Sequence, residues 1–547
     1  MKNQMKKKLF LCGVLLFFIH AKAQNTVGTL TNNQGTYNGY TLYAPAGHTE
    51  TYLINNCGEI VNQWTSTVAP GNAVYLLENG NLLRAGRISN PDINFGGVGG
   101  KVELFDWDGN LLWEYTYSST TVSQHHDVFP MPNGNILMLA VSTMTEAEAL
   151  QAGRDPNDIT QGKLFNEQIL ELEPVGANGA NVVWEWNVND HLIQDLDPTK
   201  DNFGVVEDNP QLLDINFLGG SAGNANWLHF NSIQYDERLD QIVISSRLLS
   251  EIYIIDHSTT TTQAATNTGG ARGKGGNFLY RWGNPQAYKR GTPSDQKLFG
   301  QHYPHFIADG LDDERKIIVF NNGLTRLPSV SQIDIISPPE DSDGVYSYTP
   351  GAAYGPTNTD YTYKAIVETD FYSRILSSAQ RLPNGNTLIC DGDDGYFFEI
   401  TPSEEIVWEY INPVTPTGIL SQGDDSTTSP NLTFRALRYA SDYPAFDGRT
   451  LTPTVAVEQN PNTTGCTILS VTESEAINFQ ITPNPTKNTI SITGNTSIDK
   501  IEVYSMLGQL IHSTQKRTID LNKNSAGIYI VKVYANNKIS TSKIIKQ

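Results

Sequence analysis

The 547-residue chain is poor in cysteine, in positive charge and in long apolar runs, and each shortage narrows what it can be. There are four cysteines and no Cys-x-x-Cys spacing, which argues against a thiolate zinc site. Beyond the first 23 residues no segment reaches the roughly 20 apolar residues that a membrane-spanning helix needs. A net charge of −21 argues against nucleic acid or an anionic membrane as partner. The charge is also uneven. Residues 1–23 carry five Lys and no acid, and residues 476–547 carry nine Lys or Arg against three acids, so residues 24–475 hold −32. Long helical periods are missing as well.

What is present begins with a leader. Lys6, Lys7 and Lys8 precede the apolar run LFLCGVLLFFI, and Ala21-Lys22-Ala23 supplies a small-x-small cleavage pattern, so residues 1–23 read as a signal peptide. Its removal takes Cys12 and leaves Cys57, Cys390 and Cys466, enough for one bridge and one thiol in an oxidising compartment.

From about residue 50 the chain consists of short strands closed by turn signals. ENGNLLRAG (78–86), PNGNILML (132–139) and PNGNTLICDG (383–392) predict hairpins whose Asn-Gly pair supplies the positive-φ residues of a two-residue turn. Each is followed by a second kind of hairpin, in 101–117, 168–188 and 395–413, closing on a Trp-Glu-Tyr or Trp-Glu-Trp strand. Two hairpins make a four-stranded blade, and repeated blades make a β-propeller. Five units are visible, with turns near residues 79, 133, 236, 309 and 384. YLINNCGEIVNQW (52–64) suggests a sixth that lacks inner strands before it and is completed by strands near 433–456; a Cys57–Cys466 bridge would suit that closure. The expected fold is all-β: a six-bladed propeller over residues 24–456, a polar linker over 457–475, and a small β-sandwich over 476–547.

Three of the ten histidines stand seven residues before such a turn: His126 before Asn133, His229 before Asp236 and His302 before Asp309. That phase predicts a ring of imidazoles at one end of the central channel, where propellers keep ligand sites. Arg247 ends the strand that returns from His229, and Asn231 is expected on the same strand face as His229. DWDGN (106–110) and DGDDG (391–395) lack the full spacing of a calcium loop and read as blade turns. Tyr280, Trp282, Tyr288 and Tyr303 would line an aromatic pocket or pack in the core.

With QHHD (124–127), His-x-Asn-Ser (229–232) followed by SSR (245–247), and Gln301-His302 followed by FNNG (320–323), residues 50–440 resemble the bacterial arylsulfate sulfotransferases, a family of six-bladed propellers. The resemblance implies that His126, His229 and Arg247 bind the sulfuryl group, that His302 is transiently sulfated, and that Asn231 is a nearby polar contact. Tyr303 and Pro304 depart from the family pattern after His302, and His305 adds a fourth imidazole; Asn231, His305 and Tyr303 are the expected substrate-binding residues. The chemistry suits these residue types. Sulfuryl transfer, like phosphoryl transfer, needs placed cations and donors around the equatorial oxygens, and a neutral imidazole is available as nucleophile. No metal or cofactor is called for. The expected substrates are an aryl sulfate and a phenol, and the competing expectation is a noncatalytic surface propeller that binds glycan or protein.

The tail resembles the C-terminal sorting domain of the type IX secretion system of Bacteroidetes, through Pro483-Asn484-Pro485, Tyr504 to Gly508, and Gly527 to Lys532. It implies the type IX secretion machinery as partner, passage through both membranes, and a secreted or cell-surface protein that loses its tail.

Overall fold

The computed structural model describes residues 25–219, 225–462, 466, 479–494, 498–505, 510–535 and 538–547. The expected leader lies outside them, as do most of the expected linker and Gly508 of the tail motif. Two compact units are present, divided between Cys466 and Thr467.

The first unit is a ring of six antiparallel sheets. Blade 1 runs outward from Thr433–Ala440 through Gly39–Pro45 and Glu50–Ile54 to Ile60–Thr65, and blade 2 from Pro70–Leu76 through Leu82–Arg87 and Gly100–Phe105 to Leu111–Thr116. Blade 3 contains Val122–Pro130, Ile136–Thr145, Lys163–Val175 and Gly179–Asn187; blade 4 contains Phe230–Asp236, Gln241–Ser246, Glu251–Asp256 and Tyr280–Trp282. Blade 5 contains His302–Phe306, Ile317–Asn321, Gln332–Ile336 and Tyr361–Tyr363. Blade 6 contains Ser378–Arg381, Thr387–Asp391, Tyr396–Ile400 and Ile406–Ile411, with Gly28–Asn32 added on its outer edge. The ring is thus fastened twice, by an N-terminal strand on blade 6 and a C-terminal strand at the inside of blade 1. Cys57 is bonded to Cys466 across 409 residues, and Cys390 is a buried free thiol. The expectation that blade 1 lacks inner strands upstream is corrected: Gly39–Pro45 precedes residues 52–64 and supplies its second strand.

Middle strands carry unbroken apolar runs such as ILMLAV (136–141) and IVI (242–244) because both faces are covered by neighbouring blades. Each blade-to-blade junction has its own apolar cluster, for example Trp186 and Leu139 against Ile244 and Tyr253 between blades 3 and 4. Tyr280, Trp282 and Tyr288 belong to the cluster between blades 4 and 5, the packing role. The NGN turns are longer than expected. Leu77 N bonds Asn81 O at 2.8 Å, Asn79 Oδ1 accepts from Asn81 N at 3.0 Å, and only Gly80 (φ 87°) has positive φ. The Asn side chain caps the turn, so a single glycine suffices and the two-residue turn is not formed.

The second unit has a three-stranded sheet (Gln480–Thr482, Thr489–Thr493, Thr518–Asp520) and a four-stranded one (Leu510–Thr514, Lys500–Ser505, Gly527–Ala535, Lys538–Lys546). Alternate residues Tyr529, Val531 and Val533 meet Ile490, Ile501 and Ile519 in one core.

Candidate active site at one end of the channel

The inner strands of blades 3, 4 and 5 each carry an irregular residue. In blades 3 and 4 it is a histidine: φ is 48° at His126 and 53° at His229, each beside a shift in register. Such bulges turn a side chain out of the plain alternation, and the two rings meet with centroids 4.6 Å apart. In blade 5 the residue with this geometry is Tyr303 (φ 52°), and His302 precedes it. The three histidines therefore do not share one backbone position. Their equal spacing runs to positions that are not equivalent, since Asn133 and Asp309 lie within the turns 131–135 and 307–316 whereas Asp236 ends its strand before the turn 237–240.

His302 nevertheless joins the other two, for it and Arg247 are both coupled electrostatically to His126 and His229. The loop between the second and third strands of blade 2 lies over the pair. Phe95 stands 6.4 Å from the His126 ring and 6.0 Å from the His229 ring. At Gly97 (φ 89°) a Cβ would lie 2.0 Å from His126 Nε2, so only glycine lets the loop close on that ring.

The proton positions follow from the neighbours. His302 Nδ1 is 2.8 Å from Asn322 Oδ1. The Asn322 amide cannot be reversed, because its Nδ2 donates to Ser373 O at 2.9 Å and to Leu376 O at 3.1 Å. His302 must therefore donate from Nδ1, which leaves Nε2 as a bare lone pair. His229 Nδ1 is 2.7 Å from Asn226 Nδ2.

Burial holds all three imidazoles neutral. It depresses His126 and His229 well below the ordinary value, with the neighbouring histidines and Arg247 adding to it. His302 is lowered to about 3 by burial and then by Arg247, against the opposing bond to Asn322. Arg247 is itself lowered by burial and by Arg374 but stays a guanidinium. Among the described residues no hydrogen-bond or ion-pair partner engages its side chain. A cation with five donors thus faces three neutral rings, an arrangement suited to an oxyanion. Beside His229 a cavity of about 520 Å³ opens, lined by Phe95, Phe165, Lys163, Asp92, Gln161 and Asn226.

One residue further along the strands the channel is closed. Arg435 Nη2 pairs with Asp127 Oδ2 at 2.8 Å, Arg435 Nη1 donates to Tyr75 Oη at 2.5 Å, and Gln234 Nε2 donates to the same hydroxyl at 2.9 Å. The Arg435 guanidinium lies 3.7 Å above the Tyr303 ring. These residues come from the inner strands of blades 1 to 5, and all are buried.

Of the expected site residues, His126, His229, His302 and Arg247 come together, whereas three others fall elsewhere. Tyr303 belongs to the closure. His305 packs its ring 4.4 Å from that of Tyr303 and lines a cleft of about 470 Å³ with Asp236, Arg238, Asp309 and Arg315, residues in or beside the inner turns. Asn231 does not follow His229 onto one face, because the bulge breaks the alternation; it is wholly buried, and its Nδ2 donates to Gln301 O at 2.7 Å. Sequence reasoning missed Asn322, Phe95, Gly97, His125 and Glu167. Asn322 stands in the FNNG stretch and His125 is the first histidine of QHHD, so two of them lay within motifs already singled out.

The fold and site define an all-β propeller with a histidine–arginine centre at one end of its channel. Residues 31–419 match the family model described as Arylsulfotransferase (ASST), and the chain belongs to that family. At the family level this is a sulfotransferase. Residues 480–547 match the secretion system C-terminal sorting domain, which marks the chain for export to the cell surface or for secretion. No helix among the described residues is long and apolar enough to cross a membrane. No curated protein matches the chain. Among solved structures, it is similar to a protein of unknown function from Bacteroides caccae (11% identity, 73% of this chain and 98% of that one, TM-score 0.39). A putative 6-phosphogluconolactonase from Bacteroides fragilis is also similar (10%, 74% and 99%, TM-score 0.34). Likeness at this level carries no argument about function.

Proposed function

We propose that this site moves a sulfuryl group from an aryl sulfate to a phenol through a sulfohistidine at His302. The observation that supports it most is the bare Nε2 of His302, set by an Asn322 amide that two carbonyls hold in one orientation. In the first step Nε2 attacks sulfur, the bond from sulfur to the aryl oxygen breaks, and the phenolate leaves and takes a proton from solvent. Phenol ionises near pKa 10, so this leaving group is tolerable. Nδ1 keeps its proton on Asn322 Oδ1, which steadies the positive ring. Arg247, with N–H donors from His126 and His229, stabilises the charge on the equatorial oxygens. In the second step the acceptor phenol attacks sulfur and loses its proton to solvent, which makes good the proton taken up in the first step, and the N–S electron pair returns to Nε2. The cavity beside His229, with its Phe95 and Phe165 walls, is the place for the aryl group.

The test is a chromogenic aryl sulfate incubated with the purified protein, with and without an added phenol. Phenol-stimulated release together with a sulfated acceptor is the expected result. No release under either condition overturns the reading and favours a binding protein.

A further inference from the structure

Behind His126 lies a chain of buried groups to which the transfer steps above give no role. His125 Nδ1 is 2.9 Å from His126 Nδ1. On its other side His125 Nε2 lies 2.9 Å from Glu167 Oε2, close enough to pair though poorly aligned for a hydrogen bond. Glu167 Oε1 accepts the backbone N–H of Phe230 at 2.9 Å, and Phe230 follows His229. Exposure is 0% at His125, 1% at Glu167 and 2% at His126. Around the pair stand His126 and Asp127 on the inner strand, His229 from blade 4 and the Phe95 ring from blade 2, 5.4 Å from that of His125. Asp127 is already engaged by Arg435, and no Lys or Arg among the described residues pairs with Glu167.

Two facing ring nitrogens share one proton. If it sat on His126, His125 would keep its own proton at Nε2 and Glu167 would be a buried anion without a counter-charge, which is strongly disfavoured. If it sits on His125, one further proton shared across the 2.9 Å Nε2–Oε2 pair makes the network neutral, whereas the first arrangement reaches neutrality only with a proton on Glu167 Oε1, where the Phe230 N–H already points. With the proton on His125, His126 accepts at Nδ1 and carries its own proton at Nε2.

We infer that Glu167 and His125 are positioning residues that fix His126 as the Nε2–H tautomer, a hydrogen-bond donor to a sulfuryl oxygen. The inference rests on the transferase reading only for what His126 donates to; the tautomer stands apart from it. One carboxylate thus serves both donor histidines, His126 through His125 and His229 through the Phe230 amide. The result complements His302, which Asn322 holds in the opposite tautomer.

The test is a long-range proton–nitrogen correlation spectrum of the full chain carrying ¹⁵N-histidine, with His126→Gln identifying the His126 signals. A protonated Nε2 and a bare Nδ1 are expected at His126 in the wild type. In His125→Phe the His126 tautomer should lose its bias, and kcat for the aryl sulfate should fall by about a hundredfold with little change in KM. Glu167→Ala should resemble it. Glu167→Gln should recover most of the loss, because its oxygen can accept from Phe230 and its NH₂ can donate to His125 Nε2. A wild-type His126 protonated at Nδ1 overturns the inference, as does a folded Glu167→Gln as impaired as Glu167→Ala. A wild type without turnover would sink the transferase reading while the spectrum still decided this one.

Discussion

Two histidines of this propeller, both largely buried, are driven in opposite directions. At the turn end of blade 4, His257 has Asp240 Oδ1 at 2.6 Å and Glu171 Oε2 at 3.0 Å. Burial pulls its pKa down, but the bonds to Asp240 and Glu171 more than reverse this and lift it to about 9. At the other end, burial and Arg247 take His302 to about 3, and only uncharged groups, the Asn322 amide and the Gly300 backbone, oppose them. Burial is common to both, so the partner decides. A carboxylate makes a structural cation, whereas an amide leaves a neutral ring with a free lone pair.

The most severe way to break the contrast is to remove the proposed nucleophile. His302→Ala should drop turnover to background and abolish the SO₃ mass increment that wild type gains from donor alone, quenched under mildly alkaline conditions. A label on His126 or His305, or surviving turnover, would contradict the assignment. Arg247→Lys keeps the charge and loses the planar fork, and a fall of about a hundredfold in kcat/KM is expected with the fold intact. Near-normal kinetics would make Arg247 structural.

A subtler substitution converts one environment into the other. Asn322→Asp places a carboxylate beside His302, so its pKa should rise toward that of His257 and the ring should protonate at neutral pH. The pH–rate profile should then gain a rising limb, with about a tenfold loss at pH 6. Wild type should show no such limb from His302 between pH 5 and 8, because about 3 lies below that range. The smallest effect is on stability. A raised folded pKa means that the His257 contribution is fully present below 6.5 and is lost as pH rises through 9. His257→Gln should cost on the order of 2 kcal/mol at pH 6 by urea unfolding and much less at pH 10. His302 has the opposite sign, with stability present above 6.5 and lost as pH falls toward 3.

The blades were legible because Asn-Gly-Asn turns and closing Trp-Glu strands repeat in blades 2, 3 and 6. The strand Gly39–Pro45 was not, since its YTLYAP run carries no such turn and its partner lies at the other end of the chain. Arg247, His126 and His229 were legible as a set. The equivalence of His302 was misread because counting back from a turn assumes equivalent turn positions and unbroken alternation, and a positive-φ residue in or beside each of three inner strands breaks the alternation. Asn322 and Glu167 act by fixing protons on other side chains, a role that depends on contacts between residues 20 and 42 positions apart.

The closure formed by Arg435, Asp127, Tyr75, Gln234 and Tyr303 spans the inner strands on the turn side of the histidines, so the proposed site is approached from the opposite end. Approach from one end imposes an order on the covalent route proposed above. The spent phenol must back out before the next phenol can reach the loaded His302, so both compete for the same enzyme form. Steady-state plots against donor and acceptor should then run parallel, and the departing phenol should itself serve as an acceptor that returns the sulfuryl group to where it came from.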